Sequence, residues 1–397
     1  MRVTRFLLLA AIVAATVVGS PAVPAQEEKT VDIYGFAMLD MGWQSGQNHP
    51  DWFDVVRPTK LPAFENEFGE DGHYFAGVRQ SRLGVKASIP TSVGTVKTIF
   101  EFELFGTGVD AGQTTFRLRH AWGELGAWGA GQTWSPFMDP DIFPNSVEYW
   151  GPNGMVFFRN VQLRWTPVQG ANTFMIALER PGASGDGGIY ADRVELTDVS
   201  PRFPYPDVSA RWRLTGDWGH LQVAGIARWI EWDDLGFFPG DVSGDDLGWG
   251  VNVSTNVKFG GSNLIRASVV VGEGIQNYMN DAPVDIGVTN DPDNIGEALP
   301  IVGTAFFFEH NWSEKASTCI GYSSVDIDNS DGQAPSAFHV GEYALANILF
   351  YPTPGVMWGP EVQWGKRENN TDGFTSDDLR VQFSFKYNFD WRLGGKS

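Results

Sequence analysis

The segment Leu379–Phe389, LRVQFSFKYNF, decides the fold. Leu379, Val381, Phe383, Phe385, Tyr387 and Phe389 fall on one face of a strand, and Arg380, Gln382, Ser384, Lys386 and Asn388 on the other. A strand turns successive side chains to opposite faces, so this one carries an apolar wall and a polar wall. The same pattern recurs through the chain. Leu83, Val85, Ala87 and Ile89 oppose Gln80, Arg82, Lys86 and Ser88; Phe100, Phe102 and Leu104 oppose Lys97, Glu101 and Glu103. Val208, Ala210, Trp212 and Leu214 oppose Ser209, Arg211, Arg213 and Thr215, and Ile265, Ala267, Val269 and Val271 oppose Arg266 and Ser268. A soluble sandwich would bury such faces against a second sheet. A chain that is exported and repeats the pattern this often points instead to an all-β, transmembrane antiparallel β-barrel with lipid outside and water inside.

The export signal is at the start. Arg2 and Arg5 form a basic region, Phe6–Val18 an apolar core, and Val23-Pro24-Ala25 a small-residue cleavage site, so residues 1–25 read as a signal peptide and 26–397 as the barrel. That apolar core is too short to span a bilayer as a helix. The net charge of −20 becomes about −22 once the two arginines are removed, which argues against nucleic acid as a partner. Mean hydropathy is only −0.19, as expected where every second residue meets lipid. Glycine, at 47, and aromatic residues, at 14%, suit tight turns and interfacial girdles. One cysteine, Cys319, excludes an internal disulfide and reads as a small apolar residue in a strand.

Short turn signals at Pro90–Ser92, Gly126–Gly129, Pro167–Asn172, Gly216–Gly219, Phe259–Ser262, Trp312–Glu314 and Tyr351–Gly355 alternate with long polar gaps. The gaps are Ser45–Gly77, Gly106–Gln113, Pro136–Phe158, Arg180–Asp207, Asp233–Asp246, Glu273–Pro300, Asp326–Ser336 and Arg367–Asp377. Seven turns and eight loops make sixteen strands, with both chain ends on the short-turn, periplasmic side and the long loops extracellular. The last strand is expected at about 379–389, followed by a short tail, 390–397.

A sixteen-stranded barrel leaves an aqueous channel. Charges on its wall act on a passing ion through weakly screened fields. The polar faces put Arg82, Lys86, Lys97, Arg117, Arg119, Arg164, Arg211, Arg213, Arg228, Arg266, Arg380 and Lys386 inside, against few inward acids, mainly Glu101 and Glu103. The expected wall is basic although the whole chain is acidic. The third long loop holds Phe137, Asp139, Asp141, Glu148, Tyr149 and Trp150; left outside, its aromatics would form a large exposed apolar patch, so it is expected to fold into the lumen and set the pore size. The six histidines show no metal-ligand spacing, and no cofactor motif is present, so neither a metal nor a cofactor is expected.

The block GQTWSPFMDPDIFPNSVEYWGPNG, followed by FFRNVQLRWTP, resembles the central part of DcaP-type outer-membrane channels. The elements that carry the resemblance are Gly131-Gln132-Thr133-Trp134, Phe137 with Asp139, Gly151-Pro152-Asn153-Gly154, and Arg159 followed by Leu163-Arg164-Trp165-Thr166; YGFAMLD, QSRLGVKA and EFELFG add to them. The likeness is good from Tyr34 to Pro167 and rests on layout beyond it. It implies a homotrimeric outer-membrane porin that passes small anions, dicarboxylates in particular, and it carries Arg159 and Arg164 over as arginines beside the constriction loop. The expected partners are outer-membrane lipids, lipopolysaccharide and small anionic solutes. Two other readings stay open on the residues alone: a barrel enzyme such as a lipid hydrolase, for which no Ser/His pairing stands out, and a plugged adhesin or structural barrel.

Overall fold

In a computed structural model, the structure describes residues 28–181, 194–236, 240–291 and 294–394. The signal peptide expected at 1–25 and residues 182–193 of the fourth long loop lie outside these residues. Sixteen antiparallel strands close into one barrel. In chain order they are β1 Thr30–Gln44, β2 His73–Gly77 continued by Arg82–Thr91, β3 Gly94–Phe105, β4 Thr114–Leu125, β5 Trp128–Trp134, β6 Arg159–Val168, β7 Asn172–Glu179 and β8 Val199–Arg202 continued by Asp207–Gly216. Then follow β9 Gly219–Asp234, β10 Gly244–Phe259, β11 Asn263–Glu273, β12 Pro300–Ser313, β13 Ala316–Ile327, β14 Phe338–Phe350, β15 Val356–Asn369 and β16 Thr375–Leu393. Each strand pairs with its sequence neighbour, and β16 closes on β1 in a register from Val31↔Leu393 to Gln44↔Arg380. Closure removes the edge strands that a bilayer does not tolerate.

All seven short turns and all eight loops fall where the turn chemistry puts them. Outward positions are the apolar ones: Leu379, Val381, Tyr387 and Phe389 are exposed, while Arg380, Gln382 and Ser384 are buried inside. Exposed aromatic residues gather near the short turns at Trp218, Trp312, Phe389 and Trp391, and toward the long loops at Trp43, Tyr74 and Tyr205. Several boundaries differ from expectation, since His73–Gly77 and Val199–Arg202 are strand within the first and fourth long gaps and the chain's end differs most. The last strand runs from Thr375 to Leu393, 19 residues, because Asp390–Leu393 keep pairing with Tyr34–Val31 and Arg392 binds Asp32 (Nε–Oδ1 2.6 Å); these residues are strand, not tail. The eighth loop shrinks to 370–374 as β15 and β16 extend into it.

The second strand is interrupted at 78–81. There Ser81 Oγ accepts from Met38 N (3.0 Å) and fills the missing rung, while Arg79 turns inward onto Asp54 (2.6 Å) and Gly106 O (3.1 Å). This break lets the first long loop fold into the barrel, which the sequence reading left outside. The third loop does fold into the lumen. It lies so close to the opposite wall that a Cβ on Gly154 would stand 1.9 Å from Ser324 O, so glycine is required there.

The inside of the barrel is not uniformly polar. On β9 to β14 the inward positions include Ile226, Val270, Phe307, Val325, Tyr343 and Leu345, all buried. They pack with Phe137, Met138, Ile142, Met155 and Val156 of loop 3 and with Ile275, Tyr278 and Met279 of loop 6 in one apolar cluster. Cys319 belongs to that cluster. Loops 3 and 6 thus fill one side of the barrel and leave the passage on the other.

Candidate functional site: the lumen beside loop 3

Loop 3 is fastened along its whole course. At its start the wall residues of β9 and β10 bind its backbone: Gln222 Nε2 donates to Met138 O (3.1 Å), Asn252 Nδ2 to Phe137 O (2.9 Å) and Asn256 Nδ2 to Asp141 O (3.0 Å). Asp139 lies against His220 Nε2 (2.6 Å), accepts from Ser254 Oγ (2.7 Å) and pairs with Arg213 (3.3 Å). Burial opposes its ionisation, but His220, Ser254 and Arg213 hold its carboxyl below the ordinary range. Arg213 also binds Asp141, and Arg266 binds Asp141 O and Glu309 (2.7 Å). At the tip, Glu361 of β15 accepts from Ser146 Oγ (2.8 Å), Val147 N (3.0 Å), Glu148 N (3.2 Å), Asn347 Nδ2 (2.8 Å) and Gln363 Nε2 (2.7 Å). Such a buried carboxylate satisfied by donors anchors a loop without a counter-ion.

Beyond the tip, Glu148 accepts from Val56 N of loop 1 (3.0 Å) and from Gly151 N. Burial pushes its carboxyl up to about 7. Arg57 of loop 1 lies between Trp52 (4.1 Å) and Trp150 (4.0 Å) and pairs with Asp281 of loop 6 (2.8 Å). Loops 1, 3 and 6 therefore form one locked unit inside the mouth.

The open space runs between this unit and the wall of β1 to β6, with Met357 of β15 and Lys386 of β16 at its edge. It is a cavity of about 860 Å³, continued at the periplasmic rim by one of about 460 Å³ that shares Asn145, Met357 and Lys386 with it. The charged residues that line the larger cavity are Arg57, Lys60, Arg82, Arg117, Arg119, Arg159 and Lys386, against Asp51 and Glu148. Arg82, Arg117, Arg119 and Arg159 form a cluster at mid-barrel. Glu101 and Glu103 lie behind it: Arg119 binds both (Nε–Glu101 2.6 Å, Nη1–Glu103 2.5 Å), and Arg82 approaches both (3.6 and 3.3 Å). Arg117 and Arg159 each stand 3.7 Å from Glu103. Glu103 is fully buried, so the path meets the guanidinium groups and not the acid between them. Lys386 rests on the Phe36 ring (4.1 Å) and Lys86 on the Tyr34 ring (4.6 Å).

Several sequence expectations need correction. The inward acids are not mainly Glu101 and Glu103: Asp40, Glu179, Asp207, Glu309, Glu361 and Asp378 are also buried inside. Burying a lone arginine is costly, so most inward arginines are matched by an acid. Arg228 is enclosed between Asp207 (3.1 Å) and Asp285 (3.0 Å); Arg213 and Arg266 hold loop 3. Arg380 is fully buried over the Phe75 ring (3.7 Å) and does not reach the passage. Lys97 sits exposed near a short turn, close to Glu124 (3.9 Å). Arg164 stacks on Trp122 (4.3 Å), and neither it nor Arg211 lines the larger cavity. Phe137 and Asp139 anchor loop 3 to the wall; Glu148, Tyr149 and Trp150 are the ones that face the passage. His220, one of the histidines without metal-ligand spacing, is buried, and its ring nitrogen comes within 4.8 Å of carboxylate oxygens of Asp139 and Asp141; Arg213 already pairs with both acids. Arg57 was missed because it lies in a loop assigned to the exterior.

Comparison with known proteins places this arrangement. Residues 70–208 match the DcaP outer membrane protein family. Among solved structures, the outer membrane channel DcaP of Acinetobacter baumannii is similar at 20% identity and a TM-score of 0.76, over 91% of this chain and 97% of that one. The anion-selective porin from Comamonas acidovorans aligns at 9% identity and TM-score 0.58, over 91% and 100%. OmpT of Vibrio cholerae aligns at 12% identity and TM-score 0.56, over 92% and 99%. A search against curated proteins finds no match. The resemblance seen in the sequence therefore holds: the chain is an outer-membrane β-barrel of the porin fold that matches the DcaP family over residues 70–208.

Proposed function

We propose that this chain is a homotrimeric porin that gives small hydrophilic anions, dicarboxylates among them, passive passage across the bacterial outer membrane. The observation that carries the reading is the sign of the passage: seven cationic side chains line it against two acids, and the compensating Glu101 and Glu103 stand behind the arginines. A guanidinium cluster facing a narrow aqueous path offers charge-assisted donors to a carboxylate. The field also raises the local concentration of anions. The trimer, the mature start near Gln26 and the contact with lipopolysaccharide belong to the same proposal and rest on the family resemblance and the sequence.

The test is conductance of the purified mature protein in a planar bilayer, first in chloride and then with succinate added to one side. Current steps in threes, partly blocked by succinate and not by a neutral solute of similar size, are expected. Open channels that succinate does not block would overturn the anion reading while keeping the porin.

A further inference from the structure

We infer that Glu103 is the positioning residue of the anion filter: one buried carboxylate sets the places of four guanidinium groups and of the loop 3 tip. The inference rests on the anion reading above and deepens it.

Glu103 sits on β3, and its cross-strand neighbours in register are Arg82 on β2 and Arg117 on β4. Its two oxygens meet Arg119 Nη1 at 2.5 Å, Arg82 Nη2 at 3.3 Å, Arg117 Nη1 at 3.7 Å and Arg159 Nη2 at 3.7 Å. Tyr149 Oη of loop 3 donates to it as well, and the Tyr149 ring stacks on Phe105 at 3.8 Å. Strands β2, β4 and β6 and the constriction loop therefore share one acceptor. Glu101 does not duplicate it, since Glu101 reaches Arg119 and Arg82 but makes no ion pair with Arg117 or Arg159.

Two physical effects of removing this charge have opposite signs. Four guanidinium groups and two carboxylates leave the cluster at plus two; neutralising Glu103 leaves plus three. On field strength alone, that change tightens the hold on an anion. The geometry gives the other sign. With Glu103 neutral the four like charges repel, Arg117 and Arg159 lose the one ion pair each makes among the described residues, and Tyr149 is left a weaker, uncharged acceptor. A dianion then has to order the donors itself, and a pre-organised array binds better than one assembled on arrival.

Glu103→Gln and Glu103→Asp test this by succinate block of single channels, with Tyr149→Phe as the loop control. The result expected is that Glu103→Gln weakens succinate block about tenfold although the filter is more positive, with larger open-channel noise. Glu103→Asp, which keeps the charge on a shorter side chain, weakens block measurably but less than Glu103→Gln does, and Tyr149→Phe changes conductance while keeping block within about threefold. Equal or tighter block in Glu103→Gln would overturn the inference. So would a loss in Tyr149→Phe as large as in Glu103→Gln, since the loop and not the arginine array would then carry the effect. Should Glu103→Gln fail to fold, Glu103→Asp decides: a measurable weakening of block supports positioning, because charge is unchanged and reach is shorter, and wild-type block refutes it. Absence of block in the wild-type protein would instead refute the anion reading itself.

Discussion

The two sides of this barrel have different interiors. The wall of β9 to β14 turns Ile226, Val270, Phe307, Val325, Tyr343 and Leu345 inward and buries them under loops 3 and 6. The wall of β1 to β6 turns Arg82, Arg117, Arg119 and Arg159 inward and leaves them beside open space. Both walls obey the same outward rule, apolar toward lipid. They differ because one is a floor for loops and the other a bank of the channel. A lumen need not be polar wherever it is covered, and the apolar cluster holds the loops that narrow the passage on the opposite side.

The comparison makes separable predictions. The largest concerns stability. Phe307 is fully buried between the wall and the loops, so Phe307→Ala should cost about 3–5 kcal/mol in denaturant unfolding from detergent, with the reversal potential unchanged. A shift in ion preference of that variant would show that the two walls are not independent.

A smaller effect concerns the seam between loops 1 and 3. Burial holds the Glu148 carboxyl at about 7 against an ordinary 4.5. A raised pKa means the protonated form is favoured in the fold. Its stabilising contribution is full below about 4.5 and is lost as pH rises through about 7. Unfolding at pH 5 and pH 8 should therefore differ by about 1–3 kcal/mol in favour of pH 5, and Glu148→Gln should remove that part of the slope. An unchanged slope in the variant would place the titrating group elsewhere.

How much of this was legible in the sequence follows from the same contrast. Outward faces were legible throughout, because lipid imposes one rule on every strand: Leu379 to Phe389, Leu83 to Ile89 and Ile265 to Val271 all read correctly. The short turns were legible because Gly, Pro, Asn and Asp meet backbone demands that are local. The inward face obeys no single rule. Phe307 and Tyr343 read as exceptions until the loops that cover them are placed, and Asp207 and Glu361 were passed over because their partners, Arg228 and the loop 3 backbone, are fixed only by closure. His220 and Asp139 are 81 residues apart, so no spacing could have joined them. Arg79 turns inward where β2 breaks at 78–81, and the notch there carries no turn signal strong enough to be read in advance; Arg57 enters with loop 1, held by Trp52, Trp150 and Asp281.

The central claim is that the unfilled wall makes the passage select for anions. It is tested most directly by the reversal potential of single channels in a potassium chloride gradient, for the wild-type protein and for Arg82→Gln with Arg117→Gln. These two side chains are the more exposed of the cluster, at 24% and 17%, and Glu103 keeps Arg119 and Arg159 when they are replaced. The account predicts chloride preference in the wild type and a permeability ratio moved toward unity by at least about twofold in the double variant. Potassium preference in the wild type, or the same potential in both proteins, would contradict it.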